Sequence, residues 1–332
     1  MIQMQLRVIE LRQFLQILAM FMIVQFFGLL LATQLFTGVA YEQVQSVQVI
    51  STYSENLLFY IAYIVVVSII LLFVFKIYRG KRLFTAFEAV VVFIPAFYVF
   101  LICIAALFGN AYAILFYGTN PITYAVALVL AALLVIAKNK MPKLRNLTAI
   151  IASVGVGLVL GITFGFFAAY VFMAILAVYD FIAVFVTKHM VALANVAMDN
   201  NLSLMVMVNE AKAVPLSSLS AREQAEYRKE KSWLEKHSSG MVKELEKRNM
   251  VPIAARSALG TGDLAVPLMV AVAAYKISLS FVPSLVVVVG SVVGVLLNML
   301  VLRSYKKALP AIPLLLLGIS VALGIYFAVL SF

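Results

Sequence analysis

Long apolar runs alternate with short basic loops along this chain, a pattern that predicts a series of membrane-spanning helices. Arg7 and Arg12 precede an apolar run from Phe14 to about Phe36. It exceeds the roughly 7–15 residues of a signal-peptide core, so it reads as a retained span. A second run, about Leu57–Phe75, is followed by Lys76, Arg79, Lys81 and Arg82. No further basic residue occurs until Lys138. That interval suits two spans of ~20 residues joined near Gly109–Pro121, where Gly109-Asn110 and Gly118-Thr119-Asn120-Pro121 break helices. After Lys138, Lys140, Lys143 and Arg145, the stretch from Asn146 to Thr187 returns to a basic residue, Lys188. Two helices divided near Gly161–Gly165 satisfy that parity. A seventh span is expected at about Ser257–Tyr275, an eighth at about Phe281–Leu302 and a ninth at about Leu309–Leu330, the last two separated by Arg303, Lys306 and Lys307.

The expected fold is therefore an all-α membrane protein of nine transmembrane helices, multi-pass in the cell membrane. Its parts are spans one to six over residues 1–187, a loop over 188–256, and spans seven to nine over 257–332. With the N-terminus cytoplasmic and the C-terminus external, every basic cluster falls inside and only Lys276 falls outside. The opposite loop, about Thr37–Asn56, carries Glu42 and Glu55 but no Lys or Arg, as the positive-inside rule requires. Within His189–Val251, the apolar run Leu202–Val208 suits an amphipathic helix or a short strand, and Ser220–Lys247 a solvated charged helix.

Composition narrows the function. The chain is 65% hydrophobic and 12% charged, with a mean hydropathy of +1.09, which excludes an ordinary soluble domain. The short alternating strands of a membrane barrel are not seen. A net charge of +11 raises nucleic-acid binding, but the basic residues sit in loops between spans, so it signals topology and no nucleic acid is expected. Cys103, the single cysteine, reads as a small buried hydrophobe.

Two acids break the apolar pattern. Asp180 lies eight residues before Lys188, and Asp263 lies seven residues after Arg256. At ~1.5 Å per helical residue both carboxylates would lie roughly 10–12 Å into the membrane from one face, on antiparallel helices. An isolated charge there costs about 3 kcal/mol or more, so such acids mark functional sites. Two carboxylates together in low dielectric cannot both ionise cheaply: one stays protonated and polarises a peptide carbonyl while the other activates a water. The competing reading is that each Asp satisfies a neighbouring helix or lines an ion path. Gly260 and Gly262 in Gly260-Thr261-Gly262-Asp263 are expected to weaken the start of the seventh span and bring its backbone close to the sixth or to a substrate. Pro310-Ala311-Ile312-Pro313 opens the ninth with a rigid turn that is partly unpaired, because proline has no backbone donor.

Other hydrolytic chemistries lack their residues. There is no His-Glu-x-x-His, and His189 and His237 lie outside or at the edge of the spans. Zinc and Ser–His mechanisms are therefore excluded, and no metal or cofactor is expected. Gly290-Ser291 reads as helix packing, and Glu88 as an interfacial residue with some prospect of a functional contact.

Tyr179-Asp180 in the sixth span, Gly260-Thr261-Gly262-Asp263 in the seventh and Pro310-Ala311-Ile312 at the ninth together resemble the three signatures of presenilin-type GxGD intramembrane aspartyl proteases. The likeness covers essentially the whole chain, which is similar to compact archaeal presenilin homologues. It implies that Asp180 and Asp263 are catalytic, and that Tyr179, Gly260, Thr261, Gly262, Pro310, Ala311 and Ile312 shape the substrate site. Ile312 departs from the family's leucine in Pro-Ala-Leu. Signal peptide peptidases share these motifs in inverted topology, and the basic loops favour the presenilin orientation. The expected partners are transmembrane protein substrates and the lipid bilayer, and a homo-oligomer is compatible with the reading. The rival is a proton- or cation-coupled transporter using the acid pair, although no internal repeat supports it.

Overall fold

The computed structural model describes residues 2–36, 81–108, 114, 120–141, 144–186, 203, 205–215, 250–305 and 309–331. The expected span at Leu57–Phe75, the Thr37–Asn56 loop and most of His189–Val251 lie outside them. Eight helices are described: α1 Ile2–Phe36, α2 Lys81–Leu107, α3 Pro121–Lys140, α4 Arg145–Thr163, α5 Phe166–Phe181, α6 Thr261–Ser278, α7 Phe281–Tyr305 and α8 Ile312–Leu330. Each is long and apolar enough, over all or part of its length, to cross a membrane, α5 together with a π-helical turn, Ile182–Val186, that continues it. Two strands, β1 Met205–Pro215 and β2 Met250–Gly260, pair in a two-stranded sheet. The architecture is thus helical with one hairpin-sized sheet.

The chain divides into two compact units. One comprises Met1–Ile17 and Met207–Ala258, including most of both strands. The other comprises Leu18–Val206 and Leu259–Phe332, and holds the helices from most of α1 to α8.

In the second unit α6 is the central helix. It packs on α4, α5 and α7, while α2 packs on α3 and α4, and α8 on α7 and α5. Every residue of α6 from Leu264 to Lys276 is buried. Its mean hydropathy of 1.2 is the lowest of the eight spans, because a helix surrounded by protein needs no lipid-facing stripe. By contrast α3 buries only Thr123, Ala127 and Ala131, and its other residues are partly or fully exposed. Its start is explicit in the sequence: Asn120 caps it by accepting from Ile122 N–H at 3.1 Å, with Pro121 in the first turn.

Close approach of α4 to α6 rests on glycine. A Cβ at Gly157 would lie 2.8 Å from the Leu268 side chain and 2.9 Å from the Ala265 carbonyl oxygen; at Gly161 it would lie 2.6 Å from Val272 and 2.8 Å from the Met269 carbonyl oxygen. Small residues let helix backbones meet where lipid supplies no hydrophobic drive. Gly290 packs similarly, a Cβ there meeting Gly318 on α8 at 2.7 Å, in keeping with the packing role expected of Gly290-Ser291.

Three sequence expectations change. Ser257–Gly260 is strand, so the seventh span starts at Thr261. The depth estimate for Asp263 fails with it, because an extended residue advances ~3.3 Å against ~1.5 Å in a helix. The ninth span starts at Ile312, with Leu309–Ala311 preceding it. Finally, Lys276 is no loop residue. It lies in the last turn of α6, buried, and its Nζ donates to the Ile162 carbonyl at 2.6 Å. That carbonyl belongs to the C-terminal end of α4, where a cation is favoured.

Gly157→Leu is expected to destabilise the protein by about 1–3 kcal/mol through overpacking against Leu268 and Ala265. Gly324→Leu, where a Cβ meets nothing within 4 Å, is the matched control. Thermal unfolding in detergent checks the pair: equal midpoints would show that the α4–α6 contact tolerates side chains.

Candidate active site

Asp180 ends the regular part of α5, one residue before its last α-helical residue and just ahead of the π-helical turn. Such turns are rare and frequent at functional sites. The side chain is buried, with 6% exposed. It accepts a hydrogen bond from Ile312 N–H at 3.3 Å, and the Ala311 N–H also donates to it. These donors exist because α8 begins here: the first N–H groups of a helix have no intrahelical partner. Asp180 therefore supplies from another helix the acceptor that the start of α8 lacks.

Asp263 is held in the same manner by its own helix. Gly260 is the N-cap of α6, and Asp263 is the third helical residue. The Asp263 carboxylate reaches back to accept from Gly260 N–H, which is half of a capping box. Gly260 has φ −64° and ψ 146°, open to any residue, so glycine is present for space: a Cβ would stand 3.2 Å from Asp263 Oδ2. The two carboxylates are near enough for their charges to repel one another. The structure thus brings Asp180 and Asp263 together.

The other predicted site residues separate into two groups. Gly260, Ala311 and Ile312 touch the carboxylates as described, and Pro310, Ala311 and Ile312 are all buried. Isoleucine in the motif's third place keeps its N–H for Asp180 regardless of its side chain. Gly262 is exposed, with nothing among the described residues within 4 Å of a Cβ. The expectation that it brings helix backbones together is corrected: Gly262 borders open space. Thr261 is half-buried and Tyr179, 36% exposed, lies at the surface of α5.

Two polar residues have more structure than their sequence suggested. Gln25, at the middle of the α1 apolar run, is fully buried and its Nε2 donates to the Leu264 carbonyl, next to Asp263, at 3.0 Å. An amide inside an apolar run is the signal that could have found it. Glu88 is 2% exposed, paired with Lys138, and accepts from Ser203 N–H. Among the described residues no group of three His, Cys, Asp or Glu could hold a metal.

Two solved structures share this fold, each of a presenilin family intramembrane aspartate protease. The one in the C222 space group has a TM-score of 0.53 at 20% identity, covering 93% of this chain and 94% of its own. The one in the P2 space group has a TM-score of 0.53 at 21% identity, covering 94% and 97%. No curated protein matches the sequence. The family model for signal-peptide peptidase, presenilin aspartyl protease matches residues 18–332, which includes both acids and all three motifs, and on that match the chain belongs to the signal-peptide peptidase and presenilin family of aspartyl proteases.

Proposed function

We propose that Asp180 and Asp263 carry out the chemistry of this intramembrane aspartyl endopeptidase, hydrolysing peptide bonds within transmembrane segments. The observation that carries the assignment is the meeting of two carboxylates from α5 and α6, each held by backbone N–H groups at a helix start. With one proton shared between them, the ionised carboxylate takes a proton from water as the water oxygen attacks the peptide carbon, and the protonated one donates to the carbonyl oxygen. Collapse of the resulting diol breaks the C–N bond, and the leaving nitrogen takes a proton from the dyad. Family membership does not favour the transporter reading.

Asp180→Asn and Asp263→Asn are each expected to lower cleavage of a transmembrane peptide by about 10³-fold or more, because either removes half of a shared-proton pair. Folding should persist. Mass spectrometry of products at matched protein amounts checks this, and substantial cleavage by either variant would remove that residue from the role.

A helical substrate hides its peptide bonds and must unwind before water can attack. We assign Gly260, Ala311 and Ile312 to holding the carboxylates, and Gly262, Thr261, Tyr179 and Pro310 to the substrate's surroundings. A two-stranded sheet has unpaired strand edges, and an extended substrate adding to one would follow a known mode of peptide recognition. Gly262→Leu should therefore abolish cleavage while leaving the melting temperature within a few degrees, and Thr261→Ala should be milder. Met207→Pro in β1 should also impair cleavage. Normal turnover by Gly262→Leu would remove substrate from that space, and normal turnover by Met207→Pro would remove the sheet from recognition.

For the topology we propose nine spans, Leu57–Phe75 being a further one beside the eight described, with the N-terminus cytoplasmic and the C-terminus external. The helical placement of Lys276 supports this orientation by removing its one exception. Single cysteines introduced in a Cys103→Ser background should react with an impermeant reagent from outside at residues 42–55, and only from inside at 140–143 and 189–249. The reverse pattern would invert the protein and the orientation of its substrates.

A further inference from the structure

Gln25 of α1 stands where a membrane helix has every reason to carry an apolar residue. Its side chain is fully buried, its Nε2 donates to the Leu264 carbonyl at 3.0 Å, and its Oε1 is buried without a hydrogen-bond partner among the described residues. A leucine or methionine would fill the space without burying an unpaired amide oxygen, so stability does not explain the choice. The target of the bond does. Leu264 immediately follows Asp263, and Pro267 lies inside the same helix. Lacking an N–H, Pro267 leaves the Asp263 carbonyl without its helical donor and its ring pushes against that carbonyl. The first turn of α6, which carries Asp263, is therefore weakly tied to the helix below it. One turn along α1, a Cβ at Gly28 would crowd the Leu268 side chain, 3.0 Å from its Cγ, so α1 and α6 are in close contact on both sides of the proline.

We propose that Gln25 is a positioning residue for Asp263: its amide clamps the first turn of α6 through the Leu264 carbonyl and fixes the carboxylate against Asp180. This rests on the reading of Asp180 and Asp263 as the catalytic pair. Small displacements of a reacting group lower rate more than they lower affinity. The clamp is therefore a term in kcat, whereas a packing role alone would appear in the melting temperature.

The test is steady-state cleavage of a transmembrane peptide by the full chain in detergent, with Gln25→Met, which keeps volume and removes the donor. Turnover per folded molecule is expected to fall about tenfold or more with KM within about twofold. An unchanged kcat, or a loss confined to KM, overturns the proposal. Should Gln25→Met fail to fold, Gln25→Glu decides: its carboxyl donates to Leu264 only when protonated, so its activity relative to wild type should rise several-fold as pH falls. Asp180, Asp263, Tyr275 and Lys276 titrate in both enzymes, and because an ionised carboxyl at position 25 also acts on Asp263, Gln25→Leu, neutral at every pH, is the control and should keep a low kcat without that rise. Parallel pH profiles would overturn the clamp. Asp263→Asn run alongside separates the two claims. If it still cleaves, the catalytic pair is wrong; if it is inactive while Gln25→Met matches wild type, only the clamp is wrong.

Discussion

A carboxylate placed in the interior of a membrane protein needs hydrogen-bond donors, and this fold supplies them from helix starts. The first N–H groups of any helix lack internal partners and carry the positive end of its dipole. Here the start of α8 faces Asp180 through Ala311 and Ile312, and the start of α6 serves Asp263 through Gly260. Neither acid needs a cationic side chain, which would neutralise the pair and cost its own burial. Both helices therefore begin at the site, and the segments before them, β2 and Leu309–Ala311, are not helical. Irregular backbone at such a place is tolerated where protein or a cavity satisfies it.

The glycines follow from the same constraint. Once α6 carries the acid and is enclosed on all sides, its neighbours must approach without lipid between them, and Gly157 and Gly161 of α4 make that possible. Gly260 and Gly262 look alike in the sequence but differ in physical role. The first makes room for the Asp263 carboxylate, while the second faces open space. A motif that spaces two glycines around one residue thus separates an inward task from an outward one.

Much of this was legible in the sequence. The apolar runs gave the spans because lipid demands about 20 apolar residues from each crossing, and the two acids stood out because charge is so unfavourable there. What could not be read were the places where protein replaces lipid as the solvent. The Ser257–Gly260 segment is apolar enough for a span but pairs as strand, since pairing depends on β1, a partner distant in sequence. Lys276 reads as a loop cation but is absorbed by the C-terminal carbonyl of α4. Gln25 and Glu88 find partners more than 40 residues away, at Leu264 and at Lys138 with Ser203, and no local pattern encodes those pairings.

Proline completes the logic of α6. Inside a soluble helix Pro267 would be a defect of about 3 kcal/mol, yet here it lies four residues after the acid, where it separates the first turn from the buried body of the helix. That turn can then answer to its own cap at Gly260 and to Gln25, while Leu268–Lys276 answers to the packing of α4 and α7. The acid is thereby placed by hydrogen bonds, which are directional, and the helix by packing, which is not. A dyad sharing one proton, as proposed for Asp180 and Asp263, depends on direction, so the break in α6 would let such a site be set with an accuracy that the bundle alone does not impose.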